Sequence, residues 1–122
     1  MKSIAIVDDI ESNRKVFKRF LEDKYSVVTY ENGVDFLEQL PYLKTLPDYV
    51  ILDVMMPKMS GYEVCKLIKA SEKYNHIKVF LCTALNSDVD IEKSKEAKAD
   101  DYIVKPVKYQ DLHYFIEHHD SE

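Results

Sequence analysis

A chain of 122 residues can build one hydrophobic core and is too short for a second, so any output module is expected to be another molecule. Hydrophobic residues at 46% and charged residues at 32% describe an ordinary folded domain and exclude a disordered or disulfide-framed chain. A net charge of −5, with only Arg14 and Arg19 as arginines, gives no basic stripe for nucleic acid, and no apolar stretch approaches the ~20 residues that cross a bilayer.

Neither direct nucleic-acid binding nor membrane insertion is therefore expected, and a first stretch without the apolar core of a signal peptide makes the cytoplasm the expected location. The first apolar run, Ile4-Ala5-Ile6-Val7, ends in Asp8-Asp9. Four more end near positions 30, 53, 83 and 105, so successive ends lie 22, 23, 30 and 22 residues apart. Each interval holds one helix and two loops, the rhythm of repeated βα units, and the fold class is α/β.

Between the runs, apolar residues recur at helical spacing in Val16-Phe17-Phe20-Leu21, Val34-Leu37-Leu40, Val64-Leu67-Ile68 and Leu112-Phe115-Ile116. Pro41 should end the second helix, and Ser60-Gly61-Tyr62-Glu63 fits a capping box that starts the third. Asp88 to Lys98 has poor apolar periodicity, but its early acids and late lysines complement a helix dipole; a marginal, mobile fourth helix is expected there. The central runs Val50-Ile51-Leu52 and Val79-Phe80-Leu81-Cys82 are apolar throughout, as in a parallel sheet covered on both faces.

The run Tyr49-Val50-Ile51-Leu52 closes on Asp53, and Tyr102-Ile103-Val104 closes on Lys105. If the runs are neighbouring parallel strands, Asp8, Asp9, Asp53 and Lys105 meet where open α/β sheets bind ligands, at the carboxyl ends of the strands. Two carboxylates about 4 Å apart repel by roughly 1 kcal/mol in water and roughly 4 at an effective dielectric of 20, so such a cluster wants a cation. All-oxygen ligands suit Mg²⁺, and zinc is disfavoured without nitrogen or sulfur. A carboxylate beside Mg²⁺ and a lysine is also a plausible nucleophile for a phosphoryl group, which points to an aspartyl phosphate.

Taken singly, each residue has a plainer reading. Asp9 could cap the first helix, Thr83 could be a strand-end hydroxyl, Tyr102 a core aromatic and Lys105 a solvated lysine. Cys65 and Cys82, with no CxxC, read as buried free thiols. His113, His118 and His119 read as solvated residues on a fraying last helix, and Lys66, Lys69 and Lys73 as a solvated helical stripe that could help a partner dock. Joint placement of the acidic, hydroxyl and basic residues at consecutive strand ends favours a site over these separate readings.

The whole chain resembles the receiver domain of two-component response regulators, of the single-domain chemotaxis or phosphorelay type. The matching segments, in order, are Ile6-Val7-Asp8-Asp9, Leu52-Asp53-Val54-Met55-Met56-Pro57, Gly61, Thr83-Ala84 and Ala99-Asp100-Asp101-Tyr102-Ile103-Val104-Lys105-Pro106. The resemblance implies one domain over residues 1–122, a flavodoxin-like, doubly wound five-stranded parallel sheet in the order 2-1-3-4-5, and five helices. It implies Asp53 as phosphoacceptor, Mg²⁺ held by Asp9, Asp53 and the Met55 carbonyl with Asp8 acting mainly through a metal-bound water, and Lys105 bridging Asp53 and the phosphoryl oxygens. Thr83 would hydrogen-bond the phosphoryl group, Tyr102 would turn inward behind it, and Lys105-Pro106 would be cis. The implied partners are a histidine kinase or histidine phosphotransfer protein and a downstream effector protein. Phosphotransfer would be self-catalysed, with no turnover enzyme; the alternatives are a phosphorylation-independent binding module and a Mg²⁺-dependent phosphatase.

Three departures carry consequences. Lys98 stands where the family usually has glycine, so it should adopt positive φ or shift the turn. The last helix lacks the arginine-rich end of regulators that dimerise through their last two helices, which makes a monomer the expectation and a dimer the alternative. Met55 and Leu85 occupy two hydrolysis-tuning positions with apolar side chains that cannot orient water, so a long-lived phosphoryl group is expected.

Overall fold

The computed structural model describes residues 1–84 and 87–120. Five strands form one parallel sheet in the order β2-β1-β3-β4-β5: β1 (Ser3–Val7), β2 (Ser26–Tyr30), β3 (Tyr49–Asp53), β4 (Lys78–Thr83) and β5 (Asp101–Val104). Five α-helices alternate with them: α1 (Glu11–Leu21), α2 (Gly33–Gln39), α3 (Gly61–Ala70), α4 (Asp88–Glu96) and α5 (Leu112–Asp120). The expected class, order and helix count are all observed. Pro41 lies in a 3₁₀ turn, Leu40–Tyr42, directly after α2, because its ring cannot continue an α-helix.

All five residues of β3 are buried, and β4 is buried from Val79 to Thr83, since helices cover both sheet faces. One face carries Ala5, Val7, Val50, Leu52, Val79 and Leu81 against Phe36, Val64, Cys65 and Ile68 of α2 and α3. The opposite face carries Ile4, Ile6, Ile51 and Phe80 against Phe17, Leu21, Leu112 and Ile116 of α1 and α5. Leu67, expected to face the core, is exposed; Cys65, one residue round the helix from Val64, is buried in its place. Burial pushes the Cys65 and Cys82 thiols up to about 12, so both stay protonated and unreactive at neutral pH.

The starts of α3 and α4 are built alike. Ser60 accepts from the Glu63 N–H at 3.3 Å, as the capping box requires, and Ser87 accepts from the Asp90 N–H at 3.2 Å. Helix α4 buries little besides Ser94 and Ala97, and it is tied to α3 by the Tyr62 hydroxyl on the Asp90 carbonyl and the Cys65 thiol on the Ala97 carbonyl. It ends on Lys98 at φ 60°, so the left-handed residue after the helix is supplied by lysine where glycine would be unstrained.

Two groups expected in solvent are part of the frame. Lys69 is almost buried: its ammonium lies 2.6 Å from Asp100 Oδ2 and donates to the carbonyls of Asn75 and Ile77, tying the end of α3 to the amino ends of β4 and β5. The lysine stripe also breaks because α3 stops at Ala70, leaving Lys73 on the following turn. His119 is buried against Phe80 and Phe115 with Nε2 2.9 Å from Asp101 Oδ2, while the Lys78 ammonium donates to its carbonyl. His113 lies 3.0 Å from Asp23, and His118 is exposed as expected.

Candidate functional site

The acidic residues converge because β1 and β3 are neighbours in register. Val7 pairs with Leu52, so Asp8 and Asp53 leave adjacent strands at the same end of the sheet. Asp8, Asp9 and Asp53 each present a carboxylate oxygen, and these oxygens lie within 4.8 Å of one another. Asp8 and Asp53 are buried, whereas Asp9 is exposed at the rim. Asp9 does not cap α1: the N-cap is Ile10, and no side chain caps that helix.

Asp8 is the most constrained of the three. Its Oδ1 accepts from the Ile10 N–H at 2.9 Å, its Oδ2 from Asn13 Nδ2 at 3.3 Å, and its carbonyl from Arg14 Nη1 at 2.8 Å. Burial raises its carboxyl above the usual range, and the charge of Asp53 adds to that rise; the Ile10, Asn13 and Lys105 contacts offset part of it.

Lys105 follows β5, two strands from β3, and its ammonium reaches Asp53 Oδ1 at 2.8 Å. Burial works to lower its pKa, but the Asp53 hydrogen bond and the surrounding negative charge prevail, leaving it raised and the lysine cationic. Lys105-Pro106 is cis, as the resemblance implied, and Lys105 N donates to the Thr83 carbonyl at 2.9 Å. Thr83 is buried at the end of β4, and Cys82 pairs with Asp53 in the register.

Tyr102 is 39% exposed. It borders a cavity of about 280 Å³ with Val104, Pro106, Leu112 and Phe115, on the face formed by β5 and α5. The Met55 side chain is 77% exposed in the loop after β3. Leu85 lies outside the described residues. Asn13 and Arg14, which hold Asp8, were not singled out from sequence; the signal available was their position one turn into the helix that follows Asp8-Asp9.

Three carboxylates against one ammonium leave the cluster short of positive charge, and every side-chain donor in it is an oxygen. That set fits Mg²⁺, a hard cation bound through one or two carboxylates and waters. Among the described residues, no helix is long and apolar enough to cross a membrane.

Residues 4–117 match the model of the response regulator receiver domain family. The chain is 33% identical over 107 residues to the polar-differentiation response regulator DivK of Brucella anthropi, covering 87% of this chain and 85% of DivK. It is 35% identical over 109 residues to the transcriptional regulatory protein AfsQ1 of Streptomyces coelicolor, covering 88% of this chain but 46% of AfsQ1; the chain thus spans under half of that relative's length. Among solved structures, it superposes on the BeF₃-activated receiver domain of DrrB from Thermotoga maritima with a TM-score of 0.87 at 35% identity, covering 100% of this chain and 99% of that one. On the receiver domain of a signal transduction histidine kinase from Syntrophus aciditrophicus the TM-score is 0.89 at 34% identity, covering 97% and 89%. With the family model spanning nearly its whole length, the chain belongs to the response regulator receiver domains.

Proposed function

We propose that this receiver takes a phosphoryl group onto Asp53 from a phosphohistidine of a histidine kinase or phosphotransfer protein, and that the resulting charge alters a face read by an effector protein. The observation that carries this reading is a buried Asp53 carboxylate with one oxygen on the Lys105 ammonium and two further carboxylates beside it. Asp8, Asp9 and Asp53, with the backbone carbonyl of Met55, are the groups to hold Mg²⁺, which when bound supplies neutralising charge for the phosphoryl oxygens. The Asp53 carboxylate oxygen forms a bond to phosphorus as the bond from phosphorus to the imidazole nitrogen breaks, and the electron pair stays on that nitrogen. Lys105 and the Thr83 hydroxyl hold the phosphoryl oxygens.

The new group adds about −1.5 to −2 charges at neutral pH. Thr83 and Lys105 are drawn toward it, Tyr102 turns inward from its exposed position, and the face of α4, β5 and α5 changes shape. A bias of a few kcal/mol inverts a two-state population. The chain's own reaction is self-modification followed by hydrolysis, with no turnover on a separate substrate. A phosphatase with an aspartyl intermediate would want an acid-base aspartate two residues after the nucleophile, and that residue is the apolar Met55.

Incubation with acetyl phosphate and Mg²⁺, followed by intact mass, tests this reading: one added phosphoryl group is expected in wild type and none in Asp53→Asn. Uptake by both proteins, or by neither, overturns it. A second expectation concerns lifetime. Met55→Asn places a polar side chain at the rim, so the phosphoryl group should decay several-fold faster than in wild type; decay that is unchanged or slower removes Met55 as a brake on hydrolysis.

A further inference from the structure

We infer that Asn13 is a positioning residue for the cation site, setting the rotation of the Asp8 carboxylate and hence its hold on a divalent ion; this rests on the Mg²⁺ reading above. Asp8 is buried, and its Oδ1 is held by the Ile10 N–H at 2.9 Å. One hydrogen bond leaves the carboxylate plane free to pivot about that contact. Asn13 removes the pivot, because its amide Nδ2 meets the other oxygen, Oδ2, at 3.3 Å. The main chain below is fixed independently by Arg14 Nη1 on the Asp8 carbonyl at 2.8 Å.

Helix geometry explains why residue 13 can do this. With Ile10 as N-cap, Asn13 is the third residue of α1, and side chains in a first turn reach back over the helix start, here toward the end of β1. Asn13 is only half-buried and borders, with Asp8, Phe17, Cys82, Lys105 and Tyr109, a cavity of about 290 Å³ beside the acidic cluster. It therefore touches the site without belonging to the core. Its donor takes one lone pair of Oδ2, while a carboxylate oxygen of Asp8 still lies within 4.8 Å of one from Asp9 and one from Asp53.

Groups that orient metal ligands from behind typically change affinity by about 10- to 100-fold when removed. The test titrates Mg²⁺ alone into metal-free wild type, Asn13→Ala and Asn13→Leu by calorimetry, following the Ile10 amide by NMR in parallel. Ser12→Leu, one residue earlier and exposed, is the control for altering this turn. A rise of about tenfold in Kd is expected for both Asn13 variants, with no change in Ser12→Leu and with the metal-free Tm of each variant close to wild type. Unchanged Kd in the Asn13 variants, or the same rise in Ser12→Leu, overturns the assignment while leaving the Mg²⁺ reading intact. A wild type that takes up no Mg²⁺ overturns both.

Discussion

Gly61→Ala should lower the free energy of unfolding by about 3 kcal/mol and slow phosphoryl uptake at Asp53 at the same time. A Cβ on Gly61 would lie 2.3 Å from the Asp53 carbonyl oxygen and 2.9 Å from both the Asp53 carbonyl carbon and the Val54 Cα. All three obstacles are backbone, and the Gly61 N–H also bonds the Val54 carbonyl at 2.9 Å, so neither side can step aside alone. The start of α3 rests directly on the peptide that carries the proposed nucleophile. Gly33 is the useful contrast: its added Cβ would strike Val64 Cγ2 at 2.3 Å, a side chain that a smaller residue could replace. Gly61 has no such remedy. Urea denaturation with and without Mg²⁺ and the rate of uptake from acetyl phosphate check the pair of effects; a stable variant that phosphorylates at the wild-type rate contradicts them.

Asp8→Asn should move stability and ion binding in opposite directions. In EDTA the variant is expected to be more stable than wild type, because burial and the Asp53 charge, which both oppose a carboxylate at position 8, act far less on a neutral side chain. Asparagine keeps an oxygen to accept from the Ile10 N–H, so the turn into α1 survives. Mg²⁺ affinity should fall at least tenfold, since a charged donor has left the cluster. Chemical denaturation in EDTA and Mg²⁺ calorimetry on the same preparations measure both. A variant less stable than wild type in EDTA would show that the carboxylates do not strain the metal-free fold.

The strands and the acidic cluster were legible in the sequence because parallel strands buried on both faces must be apolar, and their ends are where charge resumes. Asp8, Asp53 and Lys105 announced themselves by closing such runs. Lys69 and His119 did not. Spacing along α3 cannot distinguish a lysine that reaches Asp100, 31 residues away in sequence, from exposed Lys66 one turn earlier. His119 looked like a tail residue because its partners, Asp101 and Phe80, come from strands far back in the chain. Lys98 was legible for the opposite reason: a helix end needs one left-handed residue, and only the identity of that residue was unusual. Lys58, at φ 70° in the loop between β3 and α3, had no such helix end to mark it.

The sheet order also works as a ruler. Two inter-strand steps of about 4.8 Å separate β3 from β5, so roughly 10 Å of backbone lies between the stations of Asp53 and Lys105. A short basic side chain could not bridge that gap, whereas four methylenes deliver an ammonium to 2.8 Å from the carboxylate. β4, ending in Thr83, occupies the interval they span. Residue choice at position 105 is thus selected by length as much as by charge.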